Sequence, residues 1–417
     1  MINILKVNRL IKVIFIIIVI IVLLLAFSSS YTSFSIDNLA FVIAIGIDKG
    51  DGSNNLKVSF QIAKPSAISE TGSTEENTAI INTVETNSIN SAINLMNSYI
   101  GKELNLSHCK LIVFSEQVAA EGISNKIYTL VNNVQIRPST NIVISKTDAK
   151  YYIENSKPSL ETLPTKYYEI FPNSSKYTGY TANATISDFF NGLTCDTCEP
   201  YAILGGMIES NEKNLEEFAS EDPLNFGNIK SNETSIAGER GAENIGLAVF
   251  KNDKLVGELN AIETVCFSII RNQINGFLIT IVDPQDEENY LDLYLYHDRD
   301  TKSKVDIING TPYINIDCEF SGRIYSMKEE GNYLDSNVLE EISSSAAKYI
   351  ELQMQNYLYK TSKNYKSDIN GFGRGALSEF LTIQELENFN WPQNYENSFF
   401  TVNSKVNIKS GFLITET

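Results

Sequence analysis

The sequence predicts a mixed α/β, α+β protein: three successive mixed-sheet domains behind one N-terminal membrane segment, with a long helix packed on the C-terminal sheet. Three observations predict it. An uncharged apolar run stands near the N-terminus; strand-like and helix-like hydrophobic periods alternate along the body; and one apolar stripe of helical period runs for about seven turns near the C-terminus. The chain of 417 residues is also too long for one core at the usual ~100–200 residues per domain. The expected divisions are 1–36 for the membrane segment and connector, 37–192 for an N-terminal domain, 193–276 for a middle domain and 277–417 for a C-terminal domain.

The apolar run spans Val13 to Phe27 and follows Lys6, Arg9 and Lys12. A basic flank stays on the cytoplasmic side while an apolar core enters the bilayer. Val13, Ile16, Ile20, Leu24 and Phe27 are the expected anchor residues, and the body after them is expected outside the cytoplasm. The run is long for a signal-peptide core and short of the roughly 20 residues that span a bilayer comfortably. Small residues at Ala26 and Ser28 to Ser30 would admit a signal peptidase, so cleavage and retention both remain open at this point.

The net charge is −18, and the first 30 residues hold three basic and no acidic side chains, so the remainder stands at −21. Such a body is repelled by phosphates, which excludes nucleic acid as a natural partner. The two histidines, His108 and His297, leave little for a histidine-based active site or a zinc centre, and no cofactor or metal is expected. Among the five cysteines, Cys109, Cys266 and Cys318 sit among apolar neighbours and read as small buried hydrophobes.

In the first domain, Leu39 to Ile47 is an apolar run suited to a buried strand, and Leu56 to Ile62 alternates. The turn-rich stretch Asp48 to Asn55 makes the two a hairpin, and Ser66 to Asn77 reads as a surface loop. Ile89, Ile93, Met96 and Ile100 lie on one helical face, as do Ala119, Ile123, Ile127 and Leu130 in a second helix capped by Ser115. Strands at Leu111 to Phe114 and Thr140 to Ser145 alternate with them. Leu160 to Ile170 and Thr185 to Leu193 read as further helices.

The second domain opens with Cys195 and Cys198. The pair follows a helix, the wrong end for a lowered thiol pKa. A local disulfide is favoured over free thiols, redox catalysis or metal binding. Tyr201 to Met207 reads as a strand, residues 210–243 as a polar acidic loop, and Ile245 to Phe250 with Leu255 to Leu259 as a hairpin. A helix over Ile262 to Ile270 completes the unit. In the third domain Ile314, Ile316, Cys318 and Phe320 alternate with polar residues, and Leu291, Leu293 and Leu295 place His297 on the apolar phase, half-buried. Leu339, Ile342, Ala346, Ile350, Met354 and Tyr357 then mark the long helix. Gly371-Phe372-Gly373 turns the chain, Trp391-Pro392 ends a short helical segment, and Phe399 to Ile408 returns as a strand.

Five pieces carry a resemblance: AIGIDK (Ala44 to Lys49), LSHCKLIVFSEQVAAEGI (Leu106 to Ile123), VQIRPST (Val134 to Thr140), IGLAVFKNDKLVGELN (Ile245 to Asn260, followed by Glu263 and Thr264) and DINGFG (Asp368 to Gly373). In register over more than 300 residues, they resemble the C subunit of bacterial spore germinant receptors, the Ger(x)C family. The resemblance implies three mixed α/β domains and a non-enzymatic subunit at the outer face of the inner spore membrane. It implies assembly there with a multi-pass A subunit and a transporter-like B subunit, in a complex that starts germination on meeting nutrients. It argues against direct germinant binding by this chain. Members usually carry a lipoprotein cysteine followed by Trp and Asp; Ser30, Tyr31 and Thr32 stand there instead, and no cysteine precedes Cys109. A serine hydroxyl cannot replace the thiol that receives the lipid, which favours retention of the apolar helix as the anchor of a lipoprotein-like chain.

No phosphate loop, dinucleotide fingerprint, His-Glu-x-x-His or Gly-x-Ser-x-Gly motif occurs, so catalysis has no anchor in the sequence and no catalytic residue is assigned. The alternative to an assembly subunit is an extracytoplasmic solute-binding receptor that itself captures a small germinant, with Tyr151-Tyr152 and Tyr167-Tyr168 lining part of a pocket.

Overall fold

The protein is described from a computed structural model, over residues 12–23, 36–52, 55–64, 78–157, 160–161, 164–208, 227–234, 236, 241–326, 333 and 335–409. It divides into two units, 1–39 and 40–417. In the first, residues 12–23 are helical. Val13, Ile16 and Ile20 are exposed on that helix, while Leu24, Phe27 and Ser30 lie outside the described residues. Among the described residues no helix is long and apolar enough to cross a membrane.

The second unit is built on two mixed sheets where three were expected. Its strands and principal helices run in the order β1 (Leu39–Lys49), β2 (Leu56–Ala63), β3 (Ala79–Thr86), α1 (Ile89–Ile100), β4 (Glu103–Asn105), β5 (Leu111–Ser115), α2 (Glu116–Glu121), α3 (Ser124–Val131), β6 (Asn141–Ser145), α4 (Ala149–Asn155), α5 (Pro164–Ile170), α6 (Ile186–Leu193), β7 (Tyr201–Met207), β8 (Ala242–Lys251), β9 (Lys254–Leu259), α7 (Ala261–Ile270), β10 (Gly276–Asp283), β11 (Asp286–Ile308), β12 (Thr311–Ser326), α8 (Ser336–Tyr359), α9 (Phe372–Gly375) and β13 (Phe399–Ile408). The large sheet has the order β3-β2-β1-β5-β6-β7-β8-β9, with β4 also paired to β1. Its centre, β1-β5-β6-β7, is parallel, and its flanks are antiparallel hairpins. Every residue of β5, β6 and β7 is buried, as expected where crossover helices cover both faces of a parallel core.

The middle segment therefore has no sheet of its own among the described residues. Tyr201–Met207, buried throughout, adds to β6 in parallel and carries β8 and β9 with it. Three strands alone would leave the two faces of β7 uncovered, and joining an existing sheet buries them.

Two further expectations are corrected. The stripe from Ala119 to Leu130 is two helices, because Gly122 takes φ +113° between them. That conformation strains any residue with a Cβ. The acidic loop ends earlier than expected: Ala242 and Glu243 begin β8, both buried, and Glu243 accepts from Asn232 N and Thr234 Oγ1. The remaining described part, 227–234 and 236, holds Ser231 Oγ on Leu204 O at 3.0 Å. The short helix Ile383–Phe389 closes on Asn390 just before Trp391-Pro392, as expected, and Trp391 opens a further short helix.

The small sheet has the order β10-β11-β12-β13, and its last pair is parallel. A parallel pair needs a crossover of a dozen residues or more, and α8 provides it. Val338, Ile342, Ala346, Ile350, Met354, Tyr357 and Leu358 form its buried stripe. That face lies on β10 and β13 and against α7, so one continuous core joins both sheets.

Candidate functional site at the junction of the sheets

Several polar residues of the sequence pieces are spent on internal supports. At the end of β1, the Asp48 carboxylate accepts from Ala149 N at 2.6 Å and Lys150 N at 3.0 Å. It caps α4 from across the sheet, because the adjacent Asp148 makes no side-chain cap bond. Burial is the largest cause raising the Asp48 carboxyl above its ordinary value, against those two N–H donors. Gly46 lets α4 approach, since a Cβ there would stand 3.0 Å from Ile153 Cδ1 and 3.3 Å from the Ala149 carbonyl carbon.

The β8–β9 turn supports α3. Asp253 O accepts from Ile123 N at 3.0 Å, and its Oδ2 accepts from Ser124 N at 3.2 Å. Asn260 and Glu263 form a reciprocal capping box that opens α7. Glu263 also receives the Lys360 ammonium at 2.7 and 2.8 Å, tying α7 to the end of α8.

The densest support is the loop 368–373, which passes between the sheets. Asp368 Oδ1 accepts from Gly371 N at 2.8 Å and Phe372 N at 3.1 Å, while Oδ2 accepts from Gly373 N and Trp391 Nε1, each at 2.9 Å. Burial raises the Asp368 carboxyl to about 6 against the pull of those donors. Gly373 must be small, because a Cβ would lie 2.4 Å from Thr197 O. Toward the large sheet, Glu199 N donates to Asp368 O at 3.0 Å and Ser367 Oγ to Phe250 O at 2.5 Å. Lys251 Nζ donates to Lys366 O at 2.6 Å, and Arg271 Nη1 to Asn370 O at 3.3 Å. Toward the small sheet, Asn370 Nδ2 donates to Tyr357 OH on α8 at 2.8 Å. Glu199 accepts from Asn252 N at 2.6 Å, and burial raises its carboxyl to about 7.

Cys195 and Cys198, just before Glu199, are joined by a disulfide with Cα atoms 5.4 Å apart. Arg374 Nη2, at the far end of the loop, lies 3.4 Å from Cys198 Sγ and 3.9 Å from Cys195 Sγ. The other three cysteines are buried. Burial pushes the Cys109 and Cys318 thiols up to about 12, and Cys266 higher still.

The remaining candidate residues do not converge. His108 meets Phe41 edge-on at 4.9 Å. His297 stacks on Phe320 at 5.0 Å with Nδ1 3.1 Å from Ile274 O, and burial lowers its pKa. Tyr152 OH donates to Asn244 Oδ1 at 2.6 Å and Tyr168 OH to Gln61 Oε1 at 3.0 Å; both rings are fully buried, while Tyr151 is half exposed. Tyr152, Tyr167 and Tyr168 are core, not the wall of an open pocket. A cleft of about 280 Å³ lies beside α3, with Lys49, Ser88, Glu121, Asn125 and Lys126 in its lining, just below the ~300–1,000 Å³ usual for ligand pockets, and a more open hollow of about 630 Å³ adjoins it at Asn90, Tyr128 and Asn132. Among the described residues no group of three His, Cys, Asp or Glu side chains is placed to hold a metal.

Residues 33–204 match the spore germination protein N-terminal domain, and residues 245–411 match the spore germination B3/GerAC-like C-terminal domain. The chain belongs to the Ger(x)C family of spore germination proteins. It is 24% identical over 370 residues to spore germination protein KC of Bacillus subtilis (strain 168), covering 86% of each chain. The crystal structure of the GerBC protein aligns at 15% identity with a TM-score of 0.49, over 87% of this chain and 96% of that one. Family membership connects the chain to spore germination.

Proposed function

We propose that this chain is the C subunit of a nutrient germinant receptor and acts by assembly, not catalysis. The apolar segment Val13 to Phe27 holds it in the inner spore membrane in place of a lipid on the residue at Ser30, and the body stands on the extracytoplasmic side. There it meets the A and B subunits, and the anchor raises its effective concentration beside them.

One observation carries the reading. Asp48, Asp253, Glu263 and Asp368, four of the acidic residues in or just after the quoted pieces, are engaged in capping helices or closing the junction, and Glu258 in the same pieces is neutralised by Lys146 and Lys230. That use suits a body whose product is a rigid surface. The experiment is deletion and complementation. Spores lacking the chain lose nutrient-triggered germination and regain it with the full-length chain, whereas a chain without residues 1–30 restores it poorly. Normal germination of the deletion spores on every nutrient that triggers the parent would refute the reading.

A further inference from the structure

We infer that the Cys195–Cys198 disulfide is a modification site: a dithiol reductant opens it by thiol–disulfide exchange, and opening it loosens the loop that ties the two sheets together. The inference stands on the junction geometry and not on the assembly reading.

The two sulfurs are unequal. Cys195 is half-buried, and Cys198 is 7% exposed. An incoming thiolate therefore attacks Cys195 Sγ; a new sulfur–sulfur bond forms there, the Cys195–Cys198 bond breaks, and the electron pair leaves on Cys198. The leaving thiolate faces the Arg374 guanidinium at 3.4 Å, which remains charged at any working pH. A neighbouring cation lowers the pKa of the departing thiol, and a lower pKa leaves faster. The reductant's second thiol then attacks its own mixed-disulfide sulfur, closing the reductant into a disulfide and releasing Cys195. The reductant's two protons end on the two cysteines, so one disulfide is reduced and one dithiol oxidised.

The pair follows the C-terminal end of α6 (Ile186–Leu193), where the helix dipole opposes a thiolate. Asp196 between the cysteines is exposed and brings no positive charge. Arg374 is thus the group that favours the departing charge.

Residues Thr197, Cys198 and Glu199 form one wall of the junction. Thr197 O is the atom that a side chain on Gly373 would strike, a Cβ on Gly371 would sit 3.7 Å from Cys198 Cβ, and Glu199 N holds Asp368 O. Freeing residues 195–198 removes the covalent restraint next to that hydrogen bond, while Cys109, Cys266 and Cys318 stay buried and unreactive.

The test uses the full chain in mild detergent, dithiothreitol as the dithiol and iodoacetamide to trap freed thiols, with peptide mass spectrometry. The expected result is labelling at Cys195 and Cys198 under native conditions and none at the other three cysteines. R374Q slows the reduction about tenfold, R374K retains most of the rate, and roughly 1 M salt brings the native chain toward the R374Q rate by screening the exposed guanidinium. In the reduced chain, and in the Cys195→Ser/Cys198→Ser double variant without reductant, hydrogen exchange rises at the amides of Glu199, Gly371, Phe372 and Gly373. Labelling only after denaturation, or an unchanged rate in R374Q, overturns the modification site. Unchanged exchange in both the reduced chain and the double variant overturns its coupling to the junction.

Discussion

Replacing Glu199 by Gln tests the electrostatics of the junction without removing its hydrogen bond, since the amide oxygen still accepts from Asn252 N. In the folded chain burial, the largest cause, raises the Glu199 carboxyl from 4.5 to about 7, with Asp368 adding to it and Lys251 opposing. A folded value above the unfolded one means that the native state binds the proton more tightly. Its contribution to stability is therefore complete below pH ~4.5, falls as the pH rises toward 7, and is gone above it. At roughly 1.4 kcal/mol per pH unit, the loss between pH 4.5 and 8 amounts to about 3 kcal/mol for this one group. Denaturant unfolding of the full chain in detergent, native and E199Q, at pH 5 and pH 8 measures it. The native chain should lose about 2–3 kcal/mol more than E199Q on going to pH 8. Other carboxyls titrate in both proteins, so the difference isolates Glu199. Equal losses in the two proteins would refute the claim that the junction buries an ionisable carboxyl.

Four further outcomes follow from the same geometry. Asp48→Ala should cost about 1–2 kcal/mol by uncapping α4, with faster hydrogen exchange at the Ala149 and Lys150 amides; Asp48→Asn should cost less. Gly246→Ala should destabilise by more than about 2 kcal/mol, because Gly246 has φ +96° and a Cβ there would lie 2.2 Å from Leu259 O; thermal unfolding reads this out. Ile342→Ala should cost roughly 2–5 kcal/mol, whereas Leu352→Ala on the exposed side of the same helix should stay within about 0.5 kcal/mol. Glu263→Ala should cost about 1–2 kcal/mol, since it removes the capping box of α7 and leaves Lys360 without its partner; Glu263→Gln, which keeps the cap, should recover part of that in the same denaturation assay.

Periodicity made the local elements readable and left their partners unread. The stripe through Ile342, Ala346, Ile350 and Met354 foretold α8 and its buried face, and the all-apolar β5 and β6 foretold a covered parallel core. That β7 would join β6 was not readable, because a buried run looks the same in any sheet. The split of one helical stripe at Gly122 was hidden for the same reason: the carboxylate beside it belongs to Asp253, far along the chain. The supports behave alike. Asp48 stands 101 positions before the amide it caps, and Arg374 stands 176 after the sulfur it faces. Spacing in the sequence carries no record of such contacts, although the quoted pieces marked most of the residues that make them. The strand β3 went unread, since its residues alternate only weakly in burial at the edge of the sheet.

The measurement that bears most directly on the proposed assembly is quantitative co-isolation from spore membranes under mild detergent, using a tagged copy of this chain. The account predicts that the A and B subunits accompany the full-length chain in fixed proportion and that the chain sediments with the membrane. A tagged chain that supports germination yet is recovered alone, with neither subunit, would contradict it.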